Sequence, residues 1–267
     1  MITSSAALSV LAGYGLSRSD CLDIAAYLAG AEYNYALLHA GKLAVNEEEL
    51  LRISERVLKK EPTAYITGRK EFYGLEFDLC SGVFIPRPES ELLTELAIKE
   101  NPRRVLDLCT GTGAILISIL SELKDARGAG ADISLKAIET AERNARKLGV
   151  SDRTEFFQAD LLASSLPYGD FDLITMNPPY LSEREYAECP PSIFYEPKNA
   201  LAAESEGYHF YNIILNELKK FNNMLLLFEI GAAQGETVVR LAENCGFEVS
   251  LFNDLAERNR VIRAHKR

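Results

Sequence analysis

The sequence has no run of 18 apolar residues, no Cys-x-x-Cys pair, few histidines and a deficit of basic charge. The first absence removes a membrane-spanning helix. The apolar stretch from Ala6 to Ala12 is too short to span a bilayer and no basic residue precedes it, so it reads as a core-facing helix rather than a signal segment. Cys21, Cys80, Cys109, Cys189 and Cys245 are odd in number and widely spaced, which argues against zinc or redox pairs and for reduced thiols in a cytosolic protein. His39, His209 and His265 make no metal-ligand spacing and no Ser/His/Asp set, so surface or packing roles are expected of them and no metal is expected. With 29 Lys+Arg against 39 Asp+Glu the net charge is −10. Affinity for phosphate backbones comes from Lys and Arg, so tight, direct nucleic-acid binding is not expected. Residues 1–70 hold eight basic and eight acidic side chains, 8 − 8 = 0, so the whole −10 falls on residues 71–267.

What is present is a globular chain of 267 residues, 47% hydrophobic and 25% charged, long enough for one large domain or a medium one with a small companion. Helical spacing of apolar residues runs over 19–30 and 33–40. Asn46 followed by Glu49 reads as an N-cap with a capping-box partner, opening a helix through Lys60 that Glu61-Pro62 ends. Residues 1–70 are therefore expected to form a small all-α bundle. From Ile66 to Pro88, short aromatic and β-branched runs broken by Gly68, Gly74 and Gly82 read as a β-hairpin connector, 71–88 in the domain division.

From Glu89 strand candidates at 103–109, 126–133, 154–159, 171–176 and 224–230 alternate with helix candidates at 89–100, 114–123, 135–148, 208–221 and 234–244. That alternation is the signature of βαβ units around a parallel sheet. Two further strands, 247–252 and 260–264, joined by a short polar turn, would close one edge as an antiparallel hairpin. The expected domain, 89–267, is thus α/β with a seven-stranded sheet.

The stretch Val105 to Ile115, V-L-D-L-C-T-G-T-G-A-I, turns the first strand into a helix. Gly111 and Gly113 could simply make a tight turn, or could bring backbone N–H groups close to a ligand. Asp107 before the turn and Asp132 at the end of the next strand favour the ligand, because a carboxylate at that place can accept hydrogen bonds from both ribose hydroxyls of a nucleoside cofactor. A third acid, Asp160, follows the third strand. As a lone residue it is as readily a loop cap as an adenine contact, with Leu161 beside it able to pack on a base.

Asn177-Pro178-Pro179-Tyr180 follows the fourth strand. Two prolines stop a strand rigidly, and here they do so in register with the glycine loop at the same sheet edge. An sp2 nitrogen is a poor nucleophile until its two N–H bonds are held in a way that favours pyramidalisation. The Asn177 side-chain carbonyl and the Pro178 backbone carbonyl can accept those hydrogens, and Tyr180 can stack on the planar group. The prolines hold the acceptors in place before substrate arrives.

The loop resembles the D-x-G-x-G-x-G turn of S-adenosylmethionine-dependent methyltransferases, with Cys109 in place of the first glycine and Thr110 and Thr112 between the remaining positions. The resemblance implies a class I, Rossmann-like fold, S-adenosylmethionine as cofactor, and an acid, Asp107, facing its cationic end. N-P-P-Y is shared by adenine-N6 DNA methyltransferases, RNA methyltransferases and protein glutamine methyltransferases. The flanking stretches Glu61–Phe77, Phe84–Glu91, Tyr195–Leu201, Glu229–Gly235 and Asp254–Val261 resemble the HemK/PrmC family of release factor glutamine methyltransferases. Phe194 stands where many members carry Arg.

That resemblance implies methylation of the glutamine side-chain amide in the Gly-Gly-Gln loop of class-1 peptide-chain release factors. It also implies docking help from the helical unit, a cytoplasmic location, and catalytic and substrate-binding roles for Asn177, Pro178, Pro179 and Tyr180. Cofactor contacts are implied for Asp107, Cys109, Thr110, Gly111, Thr112, Gly113, Asp132, Asp160, Leu161 and Asn177. A monomer is expected. The competing readings are a nucleic-acid amino-methyltransferase on the same fold and a non-catalytic binding module.

Overall fold

The structure, a computed structural model, describes residues 1–31, 33–39, 42–161 and 168–266. It divides into two compact units, Met1–Arg69 with Pro190–Tyr195, and Lys70–Cys189 with Glu196–Arg267.

The first unit runs β1 (Ile2–Thr3), α1 (Ser4–Gly13), α2 (Arg18–Leu28), α3 (Tyr33–Leu38), β2 (Ala44–Val45), α4 (Glu47–Leu58) and α5 (Thr63–Thr67). Thr3, Ser17 and Asn46 cap α1, α2 and α4 by accepting from first-turn backbone N–H groups, which satisfies donors the helices cannot. Leu11, Ile24, Leu50, Ile53 and Val57 form its core. Residue 40, the last of the helix expected over 33–40, lies outside the described residues. The helix opened by Asn46 ends at Leu58, before the expected Lys60, because Lys60 sits at φ 65. The unit also departs from an all-α bundle: β1 pairs antiparallel with β2. It includes Pro190–Tyr195, where Tyr195 Oη donates to the Lys59 carbonyl at 2.8 Å.

A hairpin, β3 (Arg69–Phe72) and β4 (Leu75–Asp78), leads into the second unit. Its two-residue turn, Tyr73-Gly74, has φ 51 and 71, the left-handed pair that matches strand twist. The hairpin expected from Ile66 therefore starts later, since residues 63–67 are helical.

Then follow α6 (Glu91–Lys99), β5 (Arg104–Leu108), α7 (Ala114–Glu122), β6 (Arg127–Asp132), α8 (Leu135–Lys147), β7 (Thr154–Gln158), β8 (Leu173–Met176) and α9 (Glu183–Ala187). The chain continues through α10 (His209–Leu218), β9 (Met224–Glu229), α11 (Gly235–Asn244), β10 (Glu248–Asn253) and β11 (Asn259–Lys266). The seven strands lie in the order β10-β11-β9-β8-β5-β6-β7. Strands β5 to β9 are parallel, and β11 runs antiparallel to both its neighbours. Every residue of β8 and β9 is buried, as a sheet covered on both faces requires. One apolar layer joins the sheet to α10 and α11, the other to α6, α7 and the hairpin residues Phe72 and Phe77. The expected seven-stranded α/β architecture is what the chain adopts.

Candidate active site

A cavity of about 390 Å³ opens at the carboxyl ends of β5, β6, β7 and β8, where ligands bind in open α/β sheets. Its size is that of a small-molecule site, roughly 300–1,000 Å³.

The turn after β5 forms one wall. Cys109, Gly111 and Gly113 all lie in the left-handed region, at φ 57, 56 and 78. At Gly113 a Cβ would come 2.8 Å from Ile117 Cδ1 and 3.1 Å from Ala141 Cβ, so this glycine lets α7 approach α8. Gly111 has open space where a Cβ would be, and its N–H donates to Asp132 Oδ2 at 2.9 Å. Asp132 Oδ1 accepts from Ser134 N at 2.9 Å. Each of these oxygens keeps a second lone pair, so a half-buried carboxylate on the cavity wall still has two acceptor sites to offer. Burial raises its pKa, and the backbone N–H groups oppose that rise.

Asp107 is placed differently from the expectation. It is fully buried and off the cavity wall, with Oδ2 accepting from Thr110 Oγ1 at 2.6 Å and Oδ1 from Thr175 Oγ1 at 2.7 Å. Both oxygens are engaged by hydroxyls of the fold, so Asp107 braces the loop rather than facing a ligand. Burial pushes its carboxyl up to about 6. Burial also pushes the Cys109 thiol up, reinforced by Asp132 and Asp107, which keeps it protonated and unreactive.

Cys109, Gly111, Asp132, Asp160, Leu161, Asn177 and Pro179 line the cavity, together with Ile133, Ala137 and Phe210 as apolar surface. A small adjoining pocket shares Cys109, Gly111 and Asn177 and adds Thr110, Thr112 and Ser90. Gly113, Pro178 and Tyr180 line neither. Paired acceptors on Asp132, an acid at Asp160 and apolar surface beside both fit a nucleoside-bearing cofactor.

At the end of β8, Asn177 Nδ2 donates to Ser90 Oγ at 3.0 Å, and Ser90 Oγ donates to Glu229 Oε2 at 2.5 Å. Asn177 Oδ1 accepts from no described residue. Tyr180, expected to stack on substrate, donates from its hydroxyl to Glu229 Oε1 at 3.2 Å. Burial and the Glu229 charge push the Tyr180 hydroxyl far above its ordinary range. Gln234 Nε2 donates to the Tyr180 carbonyl at 2.9 Å and its Oε1 accepts from Gly231 N, so the turn after β9 holds the motif from behind. Gly207 approaches so closely that a Cβ there would lie 2.1 Å from the Tyr180 oxygen.

Ser90, Glu229 and Gln234 carried no role of their own in the sequence, only places in the family-like stretches Phe84–Glu91 and Glu229–Gly235. An acid ending the otherwise apolar strand M-L-L-L-F-E was the available signal. His209, expected to be a surface or packing residue, lies on the cavity wall. The segment after Asn-Pro-Pro-Tyr is anchored without an arginine at 194: Glu196 accepts from Ile85 N at 3.0 Å and pairs with Arg87. Phe194 is exposed. Among the described residues no cluster of His, Cys, Asp or Glu is placed to hold a metal ion, and no helix is long and apolar enough to cross a membrane.

The strand order, the loop after β5 and the asparagine-proline motif after β8 define the class I S-adenosylmethionine-dependent methyltransferase fold. The methyltransferase small domain family matches residues 82–228. A release factor glutamine methyltransferase of Nitratidesulfovibrio vulgaris is 34% identical, over 90% of this chain and 87% of that protein. A bifunctional methyltransferase of Rickettsia felis is 33% identical over 94% of this chain, which spans only about half, 54%, of that relative's length. The hMettl16 catalytic domain, solved in complex with MAT2A 3'UTR hairpin 6, superposes with a TM-score of 0.61 at 15% identity, covering 84% of each chain, and shares the fold. The chain belongs to the HemK/PrmC family of methyltransferases.

Proposed function

We propose that this chain methylates the side-chain amide nitrogen of the glutamine in the Gly-Gly-Gln loop of a class-1 peptide-chain release factor, in the cytoplasm. The observation that carries the reading is Asn177. Its amide nitrogen is occupied by Ser90, while its carbonyl oxygen, on a residue of the cavity wall, has no donor among the described residues. A glutamine amide brings the N–H groups that such an acceptor lacks, and the relatives named release factor glutamine methyltransferase support that acceptor.

Bound S-adenosylmethionine supplies an electrophilic sulfonium methyl group. Asp132 is suited to hold its ribose hydroxyls through the two free acceptor sites. Ile133 and Leu161 offer apolar surface for a base, with Asp160 as a nearby hydrogen-bond acceptor. On the acceptor side, Asn177 Oδ1 and the Pro178 carbonyl, neither of which accepts from a described residue, take the two amide hydrogens. Holding both hydrogens draws the nitrogen lone pair out of conjugation and aims it, a form of preorganised electrostatic stabilisation. The consecutive prolines fix φ at both positions, so little reorganisation is needed when substrate arrives.

The direct test is transfer of a labelled methyl group to a release factor and to its Gln→Ala loop variant. Label on the parent factor alone is expected. Equal label on the variant would overturn glutamine as the acceptor. The −10 charge agrees with a protein substrate rather than a phosphate backbone.

A further inference from the structure

The two ends of a carboxamide are alike in shape and opposite in chemistry, and nothing within Asn177 decides which end meets the cavity. The decision is made elsewhere. Glu229 is 1% exposed and Ser90 2%. A carboxylate can only accept, so the single Ser90 hydroxyl proton goes to Glu229 Oε2, 2.5 Å away. Ser90 Oγ then has only lone pairs to offer Asn177, and the amide must present Nδ2 to it, at 3.0 Å. Oδ1 is what remains for the cavity.

The second oxygen of Glu229 accepts from Tyr180 Oη. Burial raises the pKa of the Glu229 carboxyl, while the Ser90 hydroxyl, the Arg260 charge and the Tyr180 hydroxyl all favour the ionised carboxylate, and the guanidinium is itself tied to Asp254 Oδ2 and the Ile230 carbonyl. The carboxylate is thus both buried and fully employed, as a fixed origin for the chain requires.

We propose that Ser90 and Glu229 are positioning residues: a one-way hydrogen-bond chain starting at the buried Glu229 carboxylate orients the Asn177 amide with its oxygen toward the methyl acceptor. The kinetic consequence rests on the amide-transfer reading above; the orientation itself does not. No bond is made or broken and no proton moves along the chain.

The chain has a direction that an isosteric change can reverse. In Glu229→Gln the new amide can donate to Ser90 Oγ, which frees the Ser90 proton to bond the Asn177 oxygen and turns the wrong end of Asn177 to the cavity. Removing Ser90 in that background leaves nothing to reverse, so the two substitutions should be strongly non-additive.

The test uses the full 15N-labelled chain, with the Asn177 side-chain NH2 signals identified by their loss in Asn177→Asp. In the parent one of the two protons is expected to be protected from solvent exchange. Ser90→Ala should speed that exchange at least about tenfold, and Ser90→Thr, which keeps the hydroxyl, should restore most of the protection. In methyl-transfer assays Ser90→Ala should lower kcat on the order of 100-fold with KM for the cofactor unchanged, and Ser90→Thr should recover most of that loss. In the Glu229→Gln background Ser90→Ala should add little.

Unchanged exchange of the Asn177 protons in Ser90→Ala would overturn the positioning chain while leaving the glutamine reading intact. Altered exchange in a parent that transfers no methyl to glutamine would do the reverse. Should Glu229→Gln fail to fold, the two Ser90 variants decide the matter alone.

Discussion

The turn after β5 and the motif after β8 stand on neighbouring parallel strands, with Asp107 and Thr175 directly in register, yet they are held in opposite ways. The β5 turn is braced mostly by nearby residues: Thr110 bonds Asp107 three residues away, Gly113 N bonds the Thr110 carbonyl, and Gly111 reaches Asp132 only 21 residues on, with Thr175 adding one bond to Asp107 from 68 residues away. The β8 motif is held from afar. Asn177 depends on Ser90, 87 residues earlier, Tyr180 on Glu229, 49 later, and its carbonyl on Gln234, 54 later. One half of the site is therefore held mainly by neighbouring stretches of chain and the other chiefly by distant ones. Lesions at the N-cap of α6 or in β9 should impair transfer while cofactor binding survives.

The sharpest test of that separation is Asn177→Ala. It should cost transfer about 3 to 4 kcal/mol of transition-state stabilisation, on the scale of a lost preorganised hydrogen-bonding group. Cofactor affinity, read by calorimetric titration, should stay within a few-fold. A matching loss of affinity would show the two halves to be one.

Gly207→Ala attacks the distal support. The residue sits at φ 83 and its Cβ would meet the Tyr180 oxygen at 2.1 Å, so the motif must move. A loss of about 2 to 4 kcal/mol in denaturant unfolding is expected, with transfer more affected than cofactor binding. Stability within experimental error of the parent would mean that this contact is soft.

The local brace can be read through pH. Asp107 has a folded pKa of about 6 against an ordinary 3.8, raised by burial. A raised pKa means that the protonated form is favoured in the fold. The resulting stability is present below about pH 4 and is lost as pH rises through about 6. Relative to Asp107→Asn, the parent should gain up to about 3 kcal/mol on acidification across that window. Parallel stability curves for the two proteins would refute it.

The smallest effect is expected at Cys109, which occupies φ 57, a region glycine tolerates better. Cys109→Gly should gain about 0.5 kcal/mol and keep activity at or above the parent level. A marked drop in transfer would give the thiol a role beyond filling space.

The same contrast governs what could be read from the sequence. The parallel series of strands and helices was legible because each element carries its own period and caps, as in β6 (Arg127–Asp132) and α8 (Leu135–Lys147). Gly111 and Asp132 were legible because a tight turn and an acid at the next strand end are separated by a short, regular distance. Ser90 and Gln234 were not, since nothing in P-R-P-E-S-E or G-A-A-Q-G states that the chain will bring them behind Asn177 and Tyr180. Asp107 and Tyr180 were legible as important but not as to role. A motif gives the residue type, whereas burial and the direction of its hydrogen bonds give its job. The assignment of Pro190–Tyr195 to the first unit escaped for the same reason, its Tyr195–Lys59 bond being 136 residues long.

The strand β11 lies between β9 and β10 although it is made after both. As the chain leaves the ribosome, β9 remains an open edge, its polar backbone groups unpaired on that side, until residues 259–266 arrive and wedge in. Arg260, the counter-charge of Glu229, comes with that strand. Completion of the charge environment around Glu229 is thereby tied to the last step of sheet closure, so a chain interrupted before β11 would carry the β5 turn but leave Glu229 without the Arg260 charge.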